Sequence, residues 1–261
     1  MLNQVTPVIL TFNEAPNIER SLARLSWAKD VVVVDSFSTD ETVAIVNRYS
    51  NARVFQRKFD AHARQWNFGI RETAIGTEWV LGLDADYMIS EDLLREILSL
   101  APEADVAGYR ASFRYCIEGQ PLRAAVYPPV TVLYRRTGAE YVQDGHTQQV
   151  RLTGRILNLN NPIHHDDRKS LQHWLNSQSR YMRLEADKLR QLPFSETAIQ
   201  DRVRKLIVIA PVAMFFYCMF VKGNILDGRA GLFYALQRSV AESILSLYLL
   251  QAFLSPNRPT K

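Results

Sequence analysis

The sequence predicts a doubly wound α/β sheet followed by an all-helical C-terminal region, and three observations carry that expectation. Strand-like and helix-like patterns alternate through the first hundred residues. Polar clusters sit just past the first, second and fourth strand-like runs: Thr11-Phe12-Asn13-Glu14, Asp35-Ser36 and Asp84-Ala85-Asp86. From about Asp166 onward only helical periodicity remains.

Taken in order, Val5 to Leu10 is a short apolar run, with Asn13 placed to cap a following helix and Pro16 near its first turn, where the missing N–H costs nothing. Val31 to Val34 is a β-branched block of the kind buried on both faces of a parallel sheet. Ser38-Thr39-Asp40-Glu41 reads as a capping box that opens a helix through Tyr49. A third strand is expected from Ala52 to Gln56, a third helix from His62 to Ala74, and a fourth strand from Trp79 to Leu83. Ser90 then caps a helix to Leu100.

Residues 105–160 carry strand-like stretches from Val106 to Cys116, Val130 to Tyr134 and Val150 to Leu159. Beyond them Leu171, Trp174, Leu175, Tyr181, Met182 and Leu189 recur on one helical face. A second helix is expected from Ser195 into the run Leu206–Val221, and a third from Ala230 to Leu254. The natural divisions are 1–100, 101–165 and 166–261.

A content of 47% hydrophobic and 22% charged residues supports a packed core and excludes wholesale disorder. A net charge of +4 without a recognisable nucleic-acid module argues against a nucleic-acid partner. It suits a phosphate-bearing substrate or an anionic membrane surface. Two distant cysteines, Cys116 and Cys218, form no framework and fit a reducing compartment. The chain enters its first strand almost at once, without the regions of a signal peptide, so a cytoplasmic location is expected.

Leu206 to Val221 is an uncharged run of sixteen residues, short of the roughly 20 that a spanning helix needs. Pro211 is expected to kink it. A buried core helix and a short span are both open readings. The equally apolar helix that follows favours a segment lying in the membrane interface.

In an open α/β sheet, ligands bind beyond the carboxyl ends of the strands, and helix N-termini there offer N–H groups to phosphate. If the strands are parallel, the three polar clusters share one rim. Asp84 and Asp86 then suit a hard divalent cation, Mg²⁺ or Mn²⁺, that keeps open positions for diphosphate oxygens. Such a pair alone is more often a solvated turn; its place beside Asp35 makes it informative.

Val8-Ile9-Leu10-Thr11-Phe12-Asn13-Glu14, Val33-Val34-Asp35-Ser36-Phe37-Ser38-Thr39-Asp40-Glu41-Thr42 and Leu83-Asp84-Ala85-Asp86 resemble the motifs of the family 2 glycosyltransferases. Asn161-Pro162-Ile163-His164-His165 and the stretch Gly223 to Leu232 extend the likeness to the branch of lipopolysaccharide inner-core β-glucosyltransferases. The resemblance implies a GT-A fold, an inverting reaction, a UDP-sugar donor and a lipid-linked or saccharide acceptor of the bacterial envelope. Together with the apolar C-terminal runs, the expected organisation is a nucleotide-sugar half at 1–100, an acceptor half at 101–165, and C-terminal helices at 166–261 holding the chain at the cytoplasmic face of the inner membrane. By position, Thr11, Asn13 and Glu14 line the nucleotide site, Asp35 meets the uracil, Asp84 lies against ribose or diphosphate, and Asp86 is the principal metal ligand. Arg64 matches a basic position able to pair with diphosphate.

The chain departs from the branch at Asp144-Gly145-His146-Thr147-Gln148-Gln149, where a His-Glu pair is usual and the Glu is the expected base. Here Asp144 and His146 are the candidates, His146 the better because imidazole titrates near neutrality. In the cluster His164-His165-Asp166-Asp167, His164 ahead of His165 is expected to complete the metal shell, a solvated turn before a helix being the other reading; an imidazole ligand favours Mn²⁺. Tyr87 has no assigned role. Phe113, Tyr115, Tyr127 and Tyr134 are sugar-stacking or core residues. The missing Glu also leaves room for an inert sugar-nucleotide-binding scaffold. A nucleotidyltransferase would need a glycine-rich basic loop after the first strand, which Thr11-Phe12-Asn13-Glu14 is not.

Overall fold

The computed structural model describes residues 4–144, 147–191, 193 and 199–254. The chain forms two compact units: Met1–Pro121 with Tyr127–Lys169, and Leu122–Val126 with Ser170–Lys261.

In the first unit β1 (Val5–Thr11), α1 (Ile18–Ala23), β2 (Val31–Asp35), α2 (Thr42–Val46), β3 (Ala52–Gln56), α3 (His62–Arg71) and β4 (Trp79–Asp84) alternate as expected. There follow β5 (Tyr87–Met88), α4 (Glu91–Ser99), β6 (Val106–Ala111), β7 (Phe113–Ile117), β8 (Gln120–Pro121), β9 (Val130–Arg135), β10 (Glu140–Asp144), β11 (Thr147–Arg151), β12 (Arg155–Asn158) and β13 (Ile163–His165). The main sheet has seven strands in the order β12-β6-β9-β4-β1-β2-β3. Strands β3, β2, β1 and β4 are mutually parallel, while β9 runs antiparallel between β4 and β6. A smaller sheet, β5-β13-β7-β8, lies apart from it, and β10 and β11 form a hairpin.

The valine block of β2 is buried on both faces. Val31 and Val33 join one apolar core with Ile18, Leu22 and Leu93, and Val32 and Val34 join another with Trp66 and Ile70. Side chains alternate across a strand, so consecutive β-branched residues serve α1, α2 and α4 on one side and α3 on the other.

Two helix starts differ from expectation. Asn13 has φ 53° and its side-chain oxygen accepts from the Thr39 amide at 2.8 Å, so α1 begins only at Ile18. The Ser38 hydroxyl is engaged by Asp35, so Asp40 takes the capping role by accepting from the Thr42 amide at 3.0 Å, and α2 is short. Ser90 does cap α4, accepting from the Leu93 amide at 3.1 Å. The strand-like stretch Val106 to Cys116 divides at Ser112 into β6 and β7, which belong to different sheets.

The second unit contains α5 (Leu171–Gln191), α6 (Ile199–Lys205), α7 (Ile209–Phe216), a π turn at Tyr217–Val221 and α8 (Gly228–Leu254). Met182, Ala186 and Leu189 of α5 pack against Ala241, Leu245 and Leu249 of α8. Gly223, at φ 73°, turns the chain between α7 and α8 where an L side chain would be strained. A Cβ at Gly231 would lie 1.8 Å from the Asn224 carbonyl oxygen, so only glycine allows this approach.

The run Leu206–Val221 does not kink at Pro211. It breaks before it: Ile207 has φ 53°, α7 starts at Ile209, and Pro211 falls in the first turn, where its missing N–H has no partner to lose. Serines of α8 close the seam, Ser246 Oγ donating to the Ile207 carbonyl at 2.6 Å and Ser239 Oγ to that of Pro211 at 2.8 Å. Ser246→Ala leaves the Ile207 carbonyl without this donor and should lower unfolding free energy by about 1 kcal/mol, read from denaturant unfolding of the full chain.

Candidate active site

The parallel register aligns the strand ends. Thr11 of β1 pairs with Asp35 of β2, Asp35 with Gln56 of β3, and Leu10 with Asp84 of β4. These four carboxyl ends form one edge of the sheet, where an open α/β sheet takes its ligands.

At that edge the loops after β1 and β2 hold each other. The Asn13 amide donates to Ser38 Oγ at 2.8 Å, that of Glu14 to Thr42 Oγ1 at 2.8 Å, and that of Ala15 to Asp40 at 3.1 Å. Asp35 lies beneath them. Asp35, the residue expected at a nucleobase, is 1% exposed and accepts from the Thr11 hydroxyl at 3.0 Å, the Ser38 hydroxyl at 2.5 Å and the Ser38 amide at 2.9 Å. Its oxygens are occupied by these loops, as is the buried Thr11 hydroxyl. Phe12 and Phe37, the latter with φ 61°, are the exposed groups that follow the two strands.

At the end of β4 the chain places Asp84 and Asp86 close together, both half-buried. Burial pushes the Asp84 carboxyl up to about 6 and the Asp86 charge adds to the rise, while His165 and a hydrogen bond from Tyr87 oppose it. Burial acts on Asp86 in the same sense, yet the charge and hydrogen bond of His165, helped by Lys169, hold it below the usual carboxylate range. His165 Nε2 lies 3.0 Å from Asp86 Oδ2. Burial would lower the imidazole, but Asp86 outweighs it and raises His165 above its ordinary value.

Here the strand register corrects the expectation for His164. In β13 Ile163 and His165 share a face with Phe113 and Tyr115 of β7 and Tyr87 of β5, while His164 lies on the other face with Arg114 and Met88. Burial and Arg114 lower the His164 imidazole. The His165 ring is surrounded by Tyr115 at 4.7 Å, Tyr87 at 5.1 Å and Tyr127 at 5.7 Å between centroids. Tyr87, unassigned from sequence, thus touches both Asp84 and His165. Tyr134 belongs to the core, its hydroxyl accepting from that of Tyr141 at 2.9 Å.

The segment after β13 fastens onto α1 through charge. Arg20 donates to Asp166 at 2.8 Å, Asn17 to Asp167 at 2.9 Å, and Lys169 Nζ to Glu14 at 2.5 Å. Burial raises Glu14 to about 7; Lys169 opposes the rise and the Asp86 charge adds to it. Burial would lower Lys169, but Glu14, Asp167 and Asp86 together raise it, so it remains a cation beside the paired carboxylates.

Arg64 is exposed on α3 and pairs with Asp60 at 3.2 Å. Its neighbours do the positioning: Gln65 donates to Ser36 Oγ at 2.8 Å, and Asn67 holds β10 by exchanging hydrogen bonds with the Tyr141 backbone at 2.8 Å. Asp144 ends β10, half-buried, with the Gln149 side chain donating to it at 3.0 Å. His146 lies outside the described residues.

Among the described residues no three His, Cys, Asp or Glu side chains are grouped so as to hold a metal ion by themselves. The donors that do converge, the Asp86 carboxylate and the His165 imidazole, suit an octahedral cation that keeps most positions for substrate oxygens. Asp84 stands next to them.

A parallel β3-β2-β1-β4 order, extended through the single antiparallel strand β9 to β6 and β12 and carrying acidic residues at the end of β4, defines the GT-A class of fold. Residues 6–157 match glycosyl transferase family 2, and the chain belongs to that family. It is 25% identical over 274 aligned positions to the lipopolysaccharide core biosynthesis glycosyltransferase LpsC of Rhizobium meliloti, covering 96% of this chain and 93% of that one. It is 36% identical over 98 residues to an uncharacterized glycosyltransferase of Rickettsia bellii, which is 37% of this chain and 32% of the relative. The chain therefore spans about a third of that relative's length. Among solved structures, the mannosyltransferase PcManGT of Pyrobaculum calidifontis, in complex with GDP-Man and Mn²⁺, aligns with TM-score 0.52 and 16% identity over 99% of this chain and 88% of that one.

Two outcomes test the electrostatics in the metal-free protein. Because the folded His165 value is raised, the Asp86–His165 pair stabilises fully below the unfolded imidazole value of about 6.5 and is lost as pH rises through the folded one. NMR titration should place His165 above free imidazole, and Asp86→Asn should bring it down. Lys169→Ala should destabilise the fold by about 3 kcal/mol, and Glu14→Gln in the same chain should recover part of that loss in denaturant unfolding.

Proposed function

We propose that this chain is an inverting glycosyltransferase that moves a sugar from a nucleoside-diphosphate sugar, UDP-linked by the family resemblance, to a saccharide or lipid-linked acceptor of the bacterial envelope. The observation that carries the reading is the Asp84, Asp86 and His165 cluster past β4, on the same sheet edge as the clasped loops after β1 and β2. Family membership and the likeness to LpsC support the reaction class and the envelope setting.

In this reading an acceptor hydroxyl oxygen attacks the anomeric carbon, the bond from that carbon to the diphosphate oxygen breaks, and the nucleoside diphosphate leaves. Asp86 and His165 would hold a Mn²⁺ or Mg²⁺ ion, which would supply positive charge to the leaving diphosphate; Asp84 would lie on the diphosphate side, oriented by its hydrogen bond from Tyr87. Lys169 adds a second positive charge to the leaving-group region. Asn13 and Glu14 are positioned on the nucleotide side. The acceptor proton goes to Asp144 or His146 on the β10–β11 hairpin. The reaction takes place at the cytoplasmic face of the inner membrane; the two buried free thiols, Cys116 and Cys218, are in keeping with a reducing compartment.

Asp86→Ala should abolish Mn²⁺-dependent binding and hydrolysis of the donor, and His165→Ala should weaken Mn²⁺ about 10- to 100-fold. Calorimetry with UDP-glucose and GDP-mannose, followed by product release with and without Mn²⁺, measures both and ranks the nucleotides. Undiminished turnover by Asp86→Ala would remove the metal assignment. Metal-dependent binding without any turnover on envelope acceptor extracts would leave a sugar-nucleotide-binding scaffold.

A further inference from the structure

The second unit carries apolar surface that its own packing does not cover. On α8 the exposed residues Leu232, Leu236, Val240, Leu247, Leu250 and Leu254 follow one another at helical spacing. At about 1.5 Å per residue this stripe is roughly 33 Å long. The opposite side of the same helix, with Tyr234, Ala241, Leu245 and Leu249, is the buried one. A second stripe runs along α7 and its π turn through Val212, Phe216 and Phe220, with Val208 preceding it at 78% exposed.

The charges of this stretch are sorted by sign. Between residues 199 and 254 there are six Arg or Lys and three Asp or Glu. Each acid is tied to an arginine: Asp201 and Glu242 to Arg204 at 3.4 and 3.0 Å, and Asp227 to Arg123 at 3.3 Å. Cations stand on both sides of the α7 stripe, Arg202 and Lys205 before it and Lys222 and Arg229 after it. Lys222 leans over the Tyr217 ring at 5.6 Å, a cation and an aromatic paired at the edge of an apolar surface.

The geometry points to the helical unit as an in-plane anchor for an anionic lipid bilayer, with the α7 and α8 stripes in the acyl boundary and the flanking cations on lipid phosphates. No single helix among the described residues is long and apolar enough to cross a membrane; Ile209–Val221 and Asn224–Leu254 reach that length and composition only as a pair, bent by 74°. An anchor lying in the interface needs no spanning helix. It needs an uncharged face, cations at its margin and backbone groups satisfied from within. The serine hydroxyls on the Ile207 and Pro211 carbonyls meet the last condition at the break in the run. The inference deepens the membrane location given above and is independent of which sugar is transferred.

The test is flotation of the full chain with phosphatidylcholine vesicles, with and without about one-third phosphatidylglycerol, at low and high salt. The chain should float with the anionic vesicles, bind the neutral ones at least fivefold more weakly, and lose most of that preference in 0.5 M salt, within the range of screening expected for surface charge. Phe216→Glu with Phe220→Glu, and separately Leu236→Glu with Val240→Glu, should each reduce flotation at least tenfold. Circular dichroism and Mn²⁺-dependent UDP-glucose binding should be unchanged, which separates loss of the anchor from loss of the fold or of the donor site. Wild-type chain that remains unbound at every vesicle composition overturns the proposal. So does equal binding to neutral and anionic vesicles. A dimer in sedimentation that these substitutions dissociate, with no vesicle binding by wild type, assigns the face to a second copy of the chain instead.

Discussion

Two half-buried carboxylates held side by side repel each other, and the surroundings of Asp84 and Asp86 are organised by that constraint. Moving either into a low-dielectric site favours its neutral form, and the neighbour's charge adds to the effect. Only cations brought from elsewhere can keep one of them ionised. His165 arrives on β13, a strand of the smaller sheet, and Lys169 on the segment that follows it. That segment is fixed to α1 by Arg20 and Asn17. The result is an asymmetric pair, with Asp84 pushed toward its neutral form and Asp86 held charged. A divalent ion between Asp86 and His165 would complete the same balance, which is why the site suits one.

The parallel half of the fold was legible because its signals are local. Four valines in a row admit burial on both faces of a sheet and little else, and Ser90 before an apolar-periodic stretch marks a helix start. The edge that bears Thr11, Asp35 and Asp84 follows from that alternation. Side-chain assignments at the edge were harder. Asp35 stands where a ligand contact is expected, yet whether its oxygens face a ligand or the Thr11 and Ser38 groups is decided by two loops meeting. His164 and His165 differ by one strand position. Ile163 belongs in the core, so alternation selects His165 for the face it shares, a signal present in the sequence and outweighed by the family pattern. Glu14 and Lys169 are 155 positions apart, and no spacing rule connects them.

In the helical unit, propensity alone gave the wrong break. Pro211 in a long apolar run reads as a kink, but a helix that starts at Ile209 receives proline in its first turn at no cost. The interruption belongs to Ile207, whose carbonyl is taken by Ser246 from another helix. The same small residues that allow close packing, Ser239, Ser246 and Gly231, also leave the larger apolar side chains of α7 and α8 facing outward. Composition reports how much apolar surface there is. The packing decides which of it remains uncovered.

The clasp between the loops after β1 and β2 has a consequence for how such a chain can diverge. Asn13, Glu14 and Ala15 each donate a backbone amide to a side chain of the second loop, and Asn13 accepts one in return. Neither loop keeps its shape alone, so substitutions in one are non-additive with substitutions in the other. A drift from serine to alanine at position 38 would release two partners at once, Asp35 and the Asn13 amide. Descendants of this sequence are therefore expected to exchange residues at 13, 38, 40 and 42 as a set, with the two loops inherited together as one unit of variation.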